Sequence, residues 1–256
     1  MVSAYRFKTI RLSRTGPAAT ILLSRPRAGN RVNLRMAEEL ALASSHINQD
    51  DSLHAVVITG AGAVFSTGWE VAAVSSPSEL RRYQAAGAIA GIQKPVIAAL
   101  NGDAIGQGLE LALAADIRLA ASHARFAMPQ VRHGLLPWDG GAQRLARVVG
   151  RAHALQMLLT GEVIDARAAL RIGLVTSVAS PEDLPAAAEE ILGRVLAGAP
   201  IAMRYAKEAV REGAELSLSQ GLHLEADLSI LLQGTKDRAE GIRSFLERRS
   251  PTYKGA

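Results

Sequence analysis

A carboxylate within an apolar helix is the first feature of this sequence that could do chemistry. Glu110 lies in the run Leu-Glu-Leu-Ala-Leu-Ala-Ala, residues 109–115, so its side chain is expected to be at least partly buried. Burial raises the pKa of a carboxyl group toward the range in which it exchanges protons near neutral pH. A solvated helix residue or a structural ion pair is the alternative, and the apolar neighbours favour the acid–base interpretation.

Two glycine-containing segments could present backbone N–H groups to an anion. In residues 65–70, Phe-Ser-Thr-Gly-Trp-Glu, Gly68 permits a tight turn after a predicted strand, although an ordinary strand-to-helix loop has the same pattern. In residues 101–110, a strand passes through Gly106 into a helix N terminus, where N–H groups are unpaired and the helix dipole is positive. Neither segment has the glycine spacing of a dinucleotide site or the Gly-Lys-Ser/Thr of a phosphate-binding loop.

A third segment, residues 126–141, holds several polar side chains in a loop rich in glycine and proline. Gln130 is neutral and cannot exchange a proton at ordinary pH, but it can orient a substrate or a water molecule. Asp139 follows Trp138 in a turn, where aspartate often has a purely structural role. His133 is a lone histidine, for which a structural role is also the more common one.

Composition and missing motifs exclude several classes of protein. The sequence has no cysteine, which rules out disulfides and thiolate metal sites, and we expect no metal. No Ser/His/Asp spacing, Gly-x-Ser-x-Gly turn or His-Glu-x-x-His motif supports nucleophilic hydrolysis or zinc chemistry. The net charge is +5 and aromatics are 4%, but the arginines are scattered, so we expect no nucleic-acid partner. With no signal-like start and no apolar run of roughly 20 residues, we expect a cytoplasmic protein that does not interact with membranes.

Strands alternate with helices in the first half of the predicted secondary structure. Strands are predicted at 20–23, 54–60, 95–100 and 116–120, and helices after Asn33 as N-cap and from Pro77 to about Ile92. From Ala142 onward nearly everything is predicted to be helical. This order predicts an α/β fold whose parallel strands are joined by helical crossovers.

These motifs, in this order, resemble the enoyl-CoA hydratase/isomerase (crotonase) family over almost the whole chain. The most recognisable string is Lys-Pro-Val-Ile-Ala-Ala-Leu-Asn-Gly, residues 94–102, and residues 23–33, 140–145, 159–161 and 168–175 also match. The resemblance implies a crotonase-like α/β fold of repeated ββα units. Residues 1–195 would form the core with the CoA site and active site, and residues 196–256 a helical region that mediates assembly into a homotrimer or homohexamer.

The resemblance also implies an acyl-CoA thioester substrate, with no cofactor beyond the CoA that the substrate carries. The backbone N–H groups of Trp69 and Gln107 would form the oxyanion hole. Neither is the small residue common at these positions, which affects the space around the thioester rather than the hydrogen bonds. Glu110 matches the first catalytic glutamate of the hydratases, whereas Gln130 stands where the second would be.

This substitution leaves several reactions open. Glu110 alone may manage both proton transfers of a hydratase that adds water to a 2-enoyl-CoA. Asp139 may supply the second carboxylate, although the acid of related isomerases and dehalogenases aligns with Trp138, one residue earlier. The protein may instead be a double-bond isomerase or an acyl-CoA hydrolase, or an acyl-CoA-binding protein without activity.

Contacts with the acyl-CoA are implied less specifically by the resemblance. Substrate-binding positions fall on Gly68 and Gly106 in the two turns, and Trp138 suggests a pocket wall that prefers a flat or cyclic acyl group. The remaining candidates are a pair near the nucleotide phosphates, two residues along the adenine and pantetheine, and two in a tail that reaches a neighbouring subunit's CoA. These are, respectively, Arg25 and Arg27, Thr67 and Val71, and Phe245 and Lys254. Each of them has a solvated or packed side chain as the alternative.

Overall fold

The computed structural model describes residues 7–70 and 76–256, and it confirms the expected α/β fold. Val71 lies outside the described residues. The strands are β1 (Ile10–Thr15), β2 (Ala18–Leu23), β3 (Ala55–Gly60), β4 (Val96–Leu100), β5 (Ala104–Ile105), β6 (Ile117–Ala121), β7 (Arg125–Ala127), β8 (Val163–Asp165) and β9 (Ser177–Ala179). The helices are α1 (Leu34–Gln49), α2 (Pro77–Arg81), α3 (Ala86–Ala90), α4 (Gln107–Leu113), α5 (Gly141–Thr160), α6 (Ala166–Arg171), α7 (Leu184–Leu196), α8 (Pro200–Gly213), α9 (Leu218–Leu232) and α10 (Lys236–Leu246). Short 3₁₀ helices cover Pro26–Ala28 and Pro129–His133.

The main sheet is largely parallel, as the helical crossovers predict. Within the described part of the chain it has six strands in the order β1-β2-β3-β4-β6-β9. The hairpin β1–β2 is antiparallel, and every other neighbouring pair in this sheet is parallel. The short strands β5, β7 and β8 form a second sheet, which connects the segments that carry the candidate site.

Strand β4 shows how the core is divided between two faces of the sheet. Val96, Ala98 and Leu100 are buried in the cluster that includes residues of α1, α3 and α4. Ile97 and Ala99 point the other way and belong to a second cluster, which includes residues of α7. Successive side chains of a strand alternate between faces, so an all-apolar strand is stable only when both faces are covered.

Helix α1 begins and ends as its flanking residues require. The side chain of Asn33 accepts a hydrogen bond from the Met36 N–H at 2.9 Å, which confirms Asn33 as the N-cap. At the other end, the buried Lys94 ammonium donates to the carbonyl oxygens of Ile47, Asn48 and Asp50. Burial lowers the pKa of Lys94 from its usual value. This lysine of the Lys-Pro motif therefore has a structural role at the C terminus of α1.

The single helix predicted from Pro77 to about Ile92 is wrong. Two short helices, α2 and α3, occupy this range and are separated by residues 82–85. The N–H groups of Ala85 and Ala86 donate to Oδ2 of Asp139, each at 2.8 Å. Because a carboxylate from a distant loop binds these two donors, the chain begins a new helix here.

The prediction of a nearly all-helical second half also needs correction. Strands β8 and β9, each of three residues, interrupt the helices there, and β9 completes one edge of the main sheet. Runs this short carry almost no alternation in hydrophobicity, so they are not separable from loops by pattern. Within residues 7–70 and 76–256, no helix combines the length and the hydropathy needed to cross a bilayer.

Candidate active site

Two loops from different parts of the chain lie side by side at the site. The Ile105 N–H donates to the Ser66 carbonyl oxygen at 3.0 Å, and the two residues flank this contact within paired segments. A Cβ atom on Gly108 would lie 2.0 Å from that same oxygen, so only glycine allows the loops to approach this closely. This pairing places Trp69 and Gln107 on adjacent stretches of backbone.

Both of these residues present a backbone N–H that has no protein acceptor. Val32 pairs with the loop through its N–H to Gly68 and its carbonyl oxygen to Glu70, both at 2.8 Å, so the Trp69 N–H points away from that partner strand. Gln107 is the first residue of α4, where an N–H has no partner within the helix. Among the described residues, no hydrogen bond is formed by either group, and two donors are therefore available to a ligand.

The turn before α4 brings a third group to these donors. Gly106 has φ 55° and ψ −125°, a conformation that glycine adopts at little cost. A Cβ atom built on Gly106 would lie 3.6 Å from Nε2 of Gln130 and 3.9 Å from Cα of Gly68. Gly68, Gly106 and Gln130 are thus brought together, as the sequence motifs predicted for a shared site.

Glu110 is fully buried one helical turn after Gln107. Its Oε1 accepts the N–H groups of Asp139 and Gly141, both at 2.8 Å, and its Oε2 accepts from Gln130 Nε2 at 3.3 Å. Burial raises the pKa of Glu110 to about 7, the nearby charge of Asp139 acts in the same direction, and the two N–H groups oppose it. At neutral pH the carboxyl group therefore populates both protonation states, which suits acid–base catalysis.

Gln130 is buried beside Glu110 with half of its amide unpaired. Its Nε2 donates to the glutamate, whereas its Oε1 is buried and receives no hydrogen bond from any described residue. A buried acceptor without a donor costs roughly 1–3 kcal/mol, which is a recurring feature of binding sites. The oxygen is available to a donor on a substrate or a water molecule.

Asp139 contacts the site through its backbone and supports it with its side chain. Its N–H binds Glu110, but its Oδ2 accepts the N–H groups that begin α3 and also Gln107 Nε2, at 3.0 Å. Gln107 Nε2 further donates to the Tyr83 carbonyl oxygen at 2.7 Å. The carboxylate of Asp139 therefore ties α3 to the residue whose N–H faces the site, and no hydrogen bond joins it to the Glu110 carboxyl group in the described residues.

Three aromatic rings border the same region. The ring centroid of Trp69 is 5.5 Å from that of Trp138, with a tilt of 59°, and 6.2 Å from that of Tyr83, edge to face. Tyr83 was missed by sequence reasoning because it fell inside the helix predicted to be continuous. The Gly141 N–H, which fixes Glu110, was also missed, since a backbone donor leaves no signal in residue type.

The proposed CoA contacts of the first loops differ in how free their side chains are. Arg25 forms an ion pair with Glu70 at 2.6 Å, so its guanidinium already has an anionic partner. Arg27 is exposed and forms no ion pair in the described part of the chain. Thr67 donates its hydroxyl group to a neighbouring loop carbonyl at 3.2 Å and is also exposed.

The two C-terminal candidates lie on and after α10. Phe245 is 82% exposed, and the Lys254 N–H is bound by Asp237 at 2.7 Å while its side chain is exposed. In the residues that the structure describes, neither forms a hydrogen bond or ion pair with Glu110 or its neighbours. Within those same ranges, no group of three or more His, Cys, Asp or Glu side chains could hold a metal ion.

Comparison with known proteins agrees with this arrangement of a parallel sheet, two unpaired N–H groups and a buried carboxyl group. The enoyl-CoA hydratase/isomerase family model matches residues 14–256. The crotonyl-CoA hydratase of Syntrophomonas wolfei is 38% identical over 255 residues, which cover 96% of this chain and 98% of that protein. The 2,3-dehydroadipyl-CoA hydratase of Escherichia coli is 38% identical over 250 residues, covering 95% and 98%.

A solved structure gives the same answer at the level of the fold. The crystal structure of an enoyl-CoA hydratase from Bacillus anthracis aligns with a TM-score of 0.93 and 34% identity, covering 97% of this chain and all of that one. The protein is therefore an α/β enzyme, and the chain belongs to the enoyl-CoA hydratase/isomerase family. The family that the sequence motifs predicted is confirmed.

Proposed function

We propose that this protein is an enoyl-CoA hydratase-like lyase that adds water to the double bond of a 2-enoyl-CoA thioester. The observation that carries the proposal is the buried Glu110, with a pKa raised to about 7, beside the unpaired N–H groups of Trp69 and Gln107. Relatives at 38% identity that are named as hydratases support the same reaction class.

The two N–H groups are proposed to bind the carbonyl oxygen of the thioester. When a nucleophile adds to the β-carbon, the electron pair of the double bond moves toward the thioester and negative charge collects on that oxygen. Fixed donors at Trp69 and Gln107 stabilise this enolate without reorganising, and loss of one such donor typically costs about 100- to 1,000-fold in rate. The large Trp69 side chain does not affect this function, because the donor belongs to the backbone.

Glu110 is proposed to perform both proton transfers through Oε2. Its ionised form takes a proton from water while the water oxygen bonds to the β-carbon, and the enolate forms. The protonated Glu110 then returns this proton to the α-carbon, giving the 3-hydroxyacyl-CoA and restoring the carboxylate. Oε1 takes no part, since two backbone N–H groups already hold it.

Gln130 is proposed to position the attacking water rather than to exchange protons. Its Nε2 donates to Glu110, and its unpaired Oε1 is suited to accept the second hydrogen of the water molecule. A single carboxyl group that acts first as base and then as acid must be ionised at the start of either reaction direction. Hydration and dehydration should therefore both rise with pH through about 7, without the falling limb that a second essential carboxyl group causes.

A product screen by mass spectrometry tests the proposal. The purified protein and its Glu110→Gln variant would be incubated with short, long, branched and aromatic 2-enoyl-CoA thioesters. A product heavier by one water, formed by the wild type and not by the variant, is expected. No hydrated product from any member of the panel would contradict the proposal, and release of free CoA would identify an acyl-CoA hydrolase.

A double-bond isomerase is the second candidate, favoured by the single titrating carboxyl group at the site. Moving a double bond needs one base that removes a proton from one carbon and returns it to another, with the same enolate stabilised by Trp69 and Gln107. Gln130 would then be no departure from the required chemistry. A product of unchanged mass from a 3-enoyl-CoA, lost in Glu110→Gln and never accompanied by hydrated product, would establish this reaction instead.

The remaining assignments are proposals of the same kind. We keep Arg25, Arg27 and Thr67 as CoA contacts, with Arg27 the better phosphate ligand because it has no ion-pair partner among the described residues. The substrate supplies its own CoA, and no other cofactor is needed for the proposed steps. A cytoplasmic location remains an expectation.

Assembly into a homotrimer or homohexamer through residues 196–256, separate from a core of residues 1–195, also remains a proposal. Large apolar side chains exposed on α8, α9 and α10 support it, because surfaces of this kind are typical of interfaces. Among them are Val210 at 75%, Leu218 at 80%, Ile230 at 67% and Leu246 at 74% exposure. Phe245 and Lys254 lie in the same region, where a neighbouring subunit's CoA would have to come to meet them.

A further inference from the structure

Both tryptophans of the chain and one of its tyrosines lie together at the candidate site. The Trp69 ring is 5.5 Å from that of Trp138 and 6.2 Å from that of Tyr83, measured between centroids. The whole sequence has two tryptophans, four tyrosines and four phenylalanines. An aromatic-rich composition therefore does not explain why three large rings converge here.

Each ring is attached to a piece of backbone that also carries a group of the proposed chemistry. Trp69 supplies one of the two N–H donors, and Trp138 precedes the residue whose N–H binds Glu110. The carbonyl oxygen of Tyr83 accepts the side-chain amide of Gln107, the second donor. The rings and the reacting groups are thus fixed to the same segments, so the aromatic surface borders the space that a thioester enters.

Part of this aromatic surface is open to a ligand. Tyr83 is 7% exposed and backs the cluster, whereas Trp69 and Trp138 are only partly buried. The loop that leads to Trp138 adds Leu135 and Leu136, which are 44% and 69% exposed. Together these side chains make an indole wall with an apolar rim.

From this arrangement we propose that the preferred acyl group carries a flat aryl ring on the β-carbon, as in a 3-arylpropenoyl-CoA, with the ring packed on Trp69 and Trp138. The inference rests on the proposed hydratase function and names the acyl class for the same site. Aromatic pairs in offset or edge-to-face geometry gain more than the buried area alone provides. The bulk of Trp69 next to its own N–H donor narrows the space beside the thioester, which disfavours a thick, flexible alkyl chain more than a conjugated plane.

Binding of saturated thioesters tests the aromatic wall without any reaction. Because both tryptophans lie in the cluster, intrinsic tryptophan fluorescence reports on this site alone. Titration with 3-phenylpropanoyl-CoA should quench the emission with an affinity about 10-fold higher than that of hexanoyl-CoA, the upper range for one aromatic pair. Equal or weaker binding of the phenyl thioester would overturn the inference.

A variant series assigns the preference to the wall. Trp138→Leu should abolish the difference between the two thioesters, and Trp138→Phe should keep part of it, while Trp69 continues to report binding. Tyr205→Leu, which removes a partly buried ring from α8, is the matched control and should keep the full difference. If Trp138→Leu folds normally by circular dichroism and keeps the full preference, the ring does not bind at this wall and the inference is wrong.

Turnover of a matched pair of substrates separates this inference from the function on which it rests. The ratio of kcat/KM for 3-phenylpropenoyl-CoA to that for 2-hexenoyl-CoA should exceed one in the wild type and fall about 10-fold in Trp138→Leu. A hydratase that prefers 2-hexenoyl-CoA would keep the proposed function and refute the aryl site. Tight binding of 3-phenylpropanoyl-CoA, with no hydrated product from any substrate, would keep the aryl site and refute the function.

Discussion

The burial of Glu110 should make the stability of this protein depend on pH in a way that one substitution removes. Glu110→Gln keeps the shape of the side chain, and its Oε1 can still accept the N–H groups of Asp139 and Gly141. Rotation of the Gln130 amide would let its unpaired Oε1 accept from the new amide, so no donor is left buried and unpaired. The variant therefore removes the titration while keeping the hydrogen bonds.

The sign and size of the effect follow from the two pKa values. The pKa of Glu110 is 4.5 without burial and about 7 in the folded protein, a rise of about 2.5 units. Below pH 4.5 the group is protonated in both states and costs nothing, whereas between pH 4.5 and 7 the unfolded chain loses its proton first and is favoured. At about 1.4 kcal/mol per unit, wild-type stability should fall by about 3 kcal/mol relative to Glu110→Gln as pH rises through 7.

Urea denaturation of both proteins at pH 5, 6, 7 and 8 measures this difference. A fixed protein concentration is needed, since subunit association would add to the apparent stability. Glu189→Gln, which removes an exposed carboxylate from α7, is the matched control and should retain the wild-type pH dependence. If the difference between wild type and Glu110→Gln is constant from pH 5 to 8, Glu110 does not hold a raised pKa and the acid–base argument loses its basis.

Three further substitutions test the roles assigned around Glu110 and the CoA. Gln130→Glu would place a second carboxyl group at the position now 3.3 Å from Glu110, and a pair sharing one proton should turn the rising pH profile of kcat/KM into a bell, measured from pH 5 to 9. Asp139→Asn should lower the free energy of unfolding by roughly 1–3 kcal/mol by weakening its bonds to α3, and should lower the kinetic pKa of Glu110 because a nearby negative charge is removed; complete loss of activity in a folded variant would instead make Asp139 an acid–base group. Arg27→Ala should raise KM for CoA thioesters several-fold at low salt and leave KM for pantetheine thioesters unchanged, with a smaller rise for Arg25→Ala; equal rises for both thioesters would show that Arg27 does not bind the phosphates.

The elements that position the site were predictable wherever the signal was local. The apolar run of β4, the cap at Asn33 and the glycine-to-helix transition at Gly106 all form as their residue types indicate. The burial of Glu110 was predictable for the same reason, because apolar residues flank it on both sides of its helix. Residue type and spacing within one segment are enough to decide such features.

The candidate pairing of Trp69 with Gln107 depended on the family resemblance rather than on local pattern. Each N–H is unremarkable in its own segment, and only the hydrogen bond between Ser66 and Ile105 brings the two loops together. The resemblance supplied this juxtaposition, and the backbone geometry supplied its physical reason, which is the absence of a side chain on Gly108.

Long-range bonds from side chains to the backbone decided what no sequence pattern contained. Asp139 binds N–H groups that lie 53 and 54 residues earlier in the chain, which divides a predicted helix in two and brings Tyr83 next to Gln107. The sequence by itself determined the family, the α/β class and the identity of the titrating carboxyl group. Only the tertiary structure decided that the Asp139 carboxylate supports the site and that both tryptophans form one wall, because these contacts join segments whose separation along the chain exceeds any helical or strand period.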